Sequence, residues 1–104
     1  MKNYIYLSAL AFCICGSVIA ENSKHTFAPE QGYVPDAKTA IKIAEAVWLP
    51  IYGNGIYEKK PFVAKLQGET WVVQGTLPAK MLGGVPVAEI SKKSGEILRI
   101  SHGK

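Results

Sequence analysis

The first twenty residues, MKNYIYLSALAFCICGSVIA, limit what the rest of the chain can become. Lys2 gives a positive start, an apolar run extends from about Tyr4 to Cys15, Gly16 and Ser17 break it, and Val18 and Ala20 precede Glu21. That is the three-part pattern of a secretory signal peptide. The run is shorter than the roughly 20 apolar residues that a spanning helix needs. The bulky Phe12 and Ile14 ahead of Cys13 and Cys15 do not suit lipoprotein processing. Cleavage is therefore expected between Ala20 and Glu21, giving a periplasmic product of 104 − 20 = 84 residues with no stable membrane anchor. Cys13 and Cys15 leave with the leader, so disulfides, thiol catalysis and cysteine-held metals are not available to the product. It must fold on an apolar core alone, and a domain of this size hides only about 60% of its unfolded surface.

Charge narrows the partners. Of 12 lysines and arginines only Lys2 is lost, leaving 12 − 1 = 11 against 8 acids, or +3. The basic residues are dispersed, with only Lys59-Lys60 and Lys92-Lys93 adjacent. No basic stripe with interleaved aromatics is present, which argues against a nucleic-acid partner. A mildly basic surface suits electrostatic steering toward an acidic protein. A hydrophobic content of 48% is too high for intrinsic disorder.

The mature chain divides at Pro35. Residues 21–35 (ENSKHTFAPEQGYVP) are polar and rich in turn formers and read as a flexible leader, with Tyr33 and Val34 placed to staple onto a following helix. Residues 36–104 read as one domain. Asp36 is an N-cap for a helix whose apolar stripe is Ile41, Ala44, Trp48 and Ile51, widened by Val47. Pro50 is expected to kink or end it near Leu49, and Tyr52-Gly53-Asn54-Gly55 to form its cap and turn. Strands are predicted over 62–67, 70–77, 85–91 and 96–101, joined by Gly68-Glu69, a 78–84 connector and the Lys92-Lys93-Ser94-Gly95 turn. Pro86 points to an edge position or the start of its strand. The expected fold is α+β: one amphipathic helix on a four-stranded antiparallel meander, in two layers.

Groups capable of chemistry are scarce. The mature chain has one Asp, already used as a cap, and two histidines, His25 in the leader and His102 near the C-terminus. Neither histidine has a second at metal-binding spacing. Glu58, Glu69, Glu89 and Glu96 are scattered, and Gly53-Asn54-Gly55 lacks both the preceding strand and the third glycine of a dinucleotide fingerprint. No catalytic residue, cofactor or metal is therefore expected. Aromatic surface is abundant instead. Tyr52 and Tyr57 flank a glycine turn beside Lys59 and Lys60, a composition suited to a protein interface. With Trp71, which alternates with Val72 on its strand, and Arg99, these are the candidate partner-binding residues.

Three stretches carry a resemblance. Gly32 to Leu66 (GYVPDAKTAIKIAEAVWLPIYGNGIYEKKPFVAKL), WVVQGTLP and GGVPVAEISKKSGEILRISHGK are similar to the bacterial immunity proteins with a nuclear-transport-factor-2-like fold that accompany polymorphic toxins. The resemblance implies a non-enzymatic protector that binds a cognate toxin. Export would place that toxin in the periplasm, acting on peptidoglycan or membrane, with its active cleft occluded. Ser94-Gly95-Glu96-Ile97-Leu98, after a helix-then-strands order, is also similar to the last hairpin of PepSY domains, which implies an envelope protease inhibitor or regulator. A small enzyme or ligand carrier, with a pocket between helix and sheet, is the third alternative.

Overall fold

The computed structural model describes residues 25–79 and 82–103. The signal segment and its cleavage residues Ala20 and Glu21 lie outside the described residues. The elements run in the order α1 (Ala37–Tyr52), a 3-10 helix (Asn54–Lys59), β1 (Val63–Gln67), β2 (Thr70–Gln74), β3 (Val85–Ser91) and β4 (Ile97–Gly103). The four strands form one antiparallel sheet in sequence order, and α1 packs on it across β1, β2 and β3. The α+β meander expected from the sequence is the observed fold.

The helix starts where its cap requires. Asp36 is extended, and its carboxylate accepts from the Thr39 amide at 2.8 Å. The buried row is Ala40, Ala44 and Trp48, continued by the half-buried Tyr52 at the same spacing of four. Ile51, expected on the stripe, lies to one side of that row and is 56% exposed. Pro50 does not end the helix, which continues to Tyr52. The amide that proline lacks would have met the carbonyl of Ala46, and Ala46 is exposed, so water can satisfy it. Gly53, at φ +82°, then stops the helix and donates its amide to Leu49 O at 2.8 Å. The chain turns through the 3-10 helix, which drives Ile56 into the core.

The core lies between α1 and one sheet face. Trp48, Ile56, Phe62, Trp71, Val73, Ala88 and Ile90 are buried there. Trp48 meets Phe62 edge-on, with ring centroids 5.1 Å apart. Strand β2 ends at Gln74, short of the expected Leu77, because after Gly75 the chain passes to another partner: Thr76 N donates to Lys59 O at 2.7 Å. The approach is so close that a Cβ on Gly75 would lie 2.9 Å from Lys59 Cβ and 3.0 Å from Pro86 Cδ. Pro86 is buried in an internal strand rather than at an edge. Its carbonyl accepts from Gly75 N just past the last β2–β3 pair, Gln74 with Val87. A residue's N–H and C=O point to one side of a strand, so the missing amide faces the place where β2 has already ended.

The later part of the polar leader is docked. Tyr33 N and Val34 N donate to Lys93 O and Lys92 O, both at 3.0 Å, and Lys92 Nζ reaches Gln31 O. Val34 is 1% exposed, while Tyr33 stays at the surface with its hydroxyl on Phe27 O. Gly32, at φ +92°, lies so close that a Cβ would sit 2.4 Å from Lys92 O.

Candidate functional site

Alternation along the strands gives the sheet two unlike faces. Trp71 and Val73 point toward α1, so Thr70, Val72 and Gln74 point away from it. The registers carry that choice across the sheet. One row of the outer face is Lys65–Val72–Glu89–Arg99, the next is Val63–Gln74–Val87–Ser101, and a third is Gln67–Thr70–Ser91. None of these residues is buried, and no described helix covers them.

At one end of this face lies an open groove of about 350 Å³. Val63 and Val72 give it apolar surface, and Lys65, Gln67, Gln74 and Thr76 give it polar groups. Among the described residues, no carboxylate lies within ion-pair distance of Lys65. At the other end Arg99 is held flat on the sheet. Its Nε donates to Glu89 Oε2 at 3.0 Å, Nη2 meets the same oxygen at 3.0 Å, and Nη1 donates to Ser101 Oγ at 3.0 Å. This pair is largely solvated, so it contributes about 0–1 kcal/mol to stability and acts mainly to fix the guanidinium. The face thus offers apolar patches, an ammonium with no described counter-ion and an oriented guanidinium, a composition suited to contact with a protein surface.

The residues singled out from sequence do not come together. Tyr57 and Lys60 share the surface beyond the helix end, with Lys60 Nζ 5.1 Å from the Tyr57 ring centroid. The Glu45 carboxylate, as hydrogen-bond acceptor, raises the Tyr57 phenol above its ordinary value of 10.0. Lys59 is taken up internally, its Nζ on Gly84 O at 3.1 Å. Tyr52 packs edge-on to His102 with centroids 5.1 Å apart. Arg99 lies on the outer face of β4, whereas Tyr52 meets His102 of the same strand on the helix side. Trp71 is a correction: it is 8% exposed and faces α1, with its indole N–H donating to Val34 O at 2.8 Å, so it is core rather than contact surface.

The open face is built from Val63, Lys65, Val72 and Gln74, which the sequence did not single out. The signal was the alternation in 62–67 and 70–74, but it could not say which face Trp71 would take. Among the described residues, no group of three or more His, Cys, Asp or Glu is placed to hold a metal, and no helix is long and apolar enough to cross a membrane.

Residues 39–104 match the family described as "NTF2 fold immunity protein". Two curated relatives come from Escherichia coli (strain K12). The chain is 40% identical over 67 residues to "Uncharacterized protein YbbC", covering 62% of this chain and 55% of that protein. It is 36% identical over 73 residues to "Uncharacterized protein YhhH", covering 68% and 58%. The chain thus spans a little over half the length of these relatives. No solved structure matches.

Proposed function

The chain belongs to the NTF2-fold immunity protein family, and from that premise we propose that it neutralises an antibacterial toxin in the periplasm by binding it. The toxin docks on the outer sheet face, and its active cleft is covered there. Its own activity is directed at peptidoglycan or membrane, the targets within reach of that compartment. The protein acts in proportion to its amount and turns nothing over.

One observation carries the choice of face. α1 seals one side of the sheet, while the other keeps Val63, Val72 and Val87 at the surface among Lys65, Gln74 and Arg99. Apolar area supplies affinity only when water is removed from it, and the surrounding polar groups fix orientation. The unpaired Lys65 favours a toxin with an acidic rim, which also agrees with the net charge of the mature chain.

The test is genetic and direct. Toxins encoded beside the gene are produced in the periplasm, with and without this protein. Growth is expected to be restored by the wild type and lost with Val72→Lys or Lys65→Glu, while both variants keep the wild-type melting temperature. Unchanged protection by both folded variants would move the docking surface elsewhere. Absence of protection against every such toxin would remove the reading altogether.

A further inference from the structure

We propose that β4 is a self-pairing edge through which two copies of this chain join their sheets about a two-fold axis. Among the described residues β4 is the last strand of the sheet, and α1 lies over β1, β2 and β3, reaching β4 at its far end through Tyr52 and His102. Apolar side chains remain on this strand: Leu98 is 47% and Ile97 37% exposed, and Ile100 is half-buried.

The direction of the free backbone groups follows from the register. Pro86 O accepts from Gly75 N, so even-numbered residues at this end of β3 face β2, and Val85, Val87 and Glu89 face β4. Their partners Gly103, Ser101 and Arg99 bond inward, which leaves the N–H and C=O of Ile100 and His102 pointing off the edge. A two-fold axis through Ile100 sets Ile100 against its own copy, Arg99 opposite Ser101 and Leu98 opposite His102. That register exchanges the free backbone groups of Ile100 with those of its copy and brings Leu98 of each copy diagonally beside Ile100 of the other. Like charges are not directly opposed, as they would be with the axis one residue earlier, at Arg99. The irregularity opposite Glu89 and Ile90 ends the ladder at Leu98, which is the partner of His102 in the other copy.

The two edges differ in how they are protected. β1 is covered by α1 and carries Lys65, a protruding charge with no described counter-ion, which discourages edge pairing. β4 has no lysine or proline, and the charge of Arg99 is already met by Glu89.

The experiment is light-scattering mass measurement over a range of concentrations, joined to amide hydrogen exchange, on protein purified from cells expressing the full chain. The expected result is twice the chain mass at high concentration, with the Ile100 and His102 amides protected there and exchanging on dilution. His102→Pro removes an outward donor and keeps every bond to β3, and Leu98→Lys places a charge at the seam, so both should give a folded monomer. A monomer at every concentration overturns the proposal, as does a dimer in which the two amides exchange freely. Protection of those amides in a monomer also overturns it.

Discussion

Trp71 is held by burial and by a single polar contact, its indole N–H on the Val34 carbonyl at 2.8 Å. Trp71→Phe keeps most of the apolar contact but leaves that carbonyl without its donor, at a cost of about 1–3 kcal/mol. The expected outcome in urea unfolding is a lower midpoint at unchanged slope, with toxin protection retained by the folded fraction. If Trp71 were a contact residue, the pattern would reverse: stability kept, protection lost. Two glycines make a second comparison. Gly32 combines a φ of +92° with a Cβ position 2.4 Å from Lys92 O, whereas Gly55 has open space around it and no positive φ. Gly32→Ala is therefore expected to undock Val34 and lower the melting temperature by several degrees, and Gly55→Ala to leave it nearly unchanged. Equal melting temperatures would show that the docked leader contributes nothing to the fold.

At the scale of elements, α1 depends on its cap. The hydrogen bond to Thr39, above all, holds the Asp36 carboxyl below its ordinary value of 3.8. A carboxylate whose pKa is depressed by folding adds stability above its unfolded pKa and loses it as pH falls through the folded one. The charge-dependent part of the cap should thus be complete at neutral pH and be lost progressively as pH falls below 3.8. Asp36→Ala should therefore lower stability more at pH 7 than at pH 2, and Asp36→Ser, whose neutral hydroxyl also accepts, should keep the part of the cap that does not depend on pH. A destabilisation by Asp36→Ala that is equal at both pH values would contradict this origin. The same helix shows why boundaries were harder to read than elements. Asp36 announces its start through its own side chain, whereas its end depends on Gly53 and on the exposed position of Ala46, one turn before Pro50. Strand β2 likewise stops for a reason far away in sequence. Gly75 meets Lys59 and Pro86, and no local propensity in Thr76-Leu77 records that contact. Ile56 was hidden in the same way, since a glycine-rich turn gave no sign that it would wind into a 3-10 helix and bury one side chain.

At the scale of the whole molecule, the meander order was legible because each strand alternates and each is followed by turn residues. The composition of the open sheet face was not. Composition identified aromatic and basic residues, but those belong to the helix end (Tyr57, Lys60), to the core (Trp71) and to the sheet (Arg99), and only the fold sorts them. The choice of periplasm rests on the leading segment and yields its own prediction. A version of the chain starting at Glu21 and kept in the cytosol should fail to protect against a toxin delivered to the periplasm, whereas the full chain should succeed. Equal protection by both would place the protein's action inside the cell. Binding and chemical inactivation are separated most directly by titrating the purified toxin's activity with this protein. Binding through the outer sheet face predicts a linear fall that reaches its floor at equal amounts, with amides of 63–67 and 70–74 protected in the complex. Loss of toxin activity at far lower amounts of protein, or full inhibition with that face left unprotected, would contradict it.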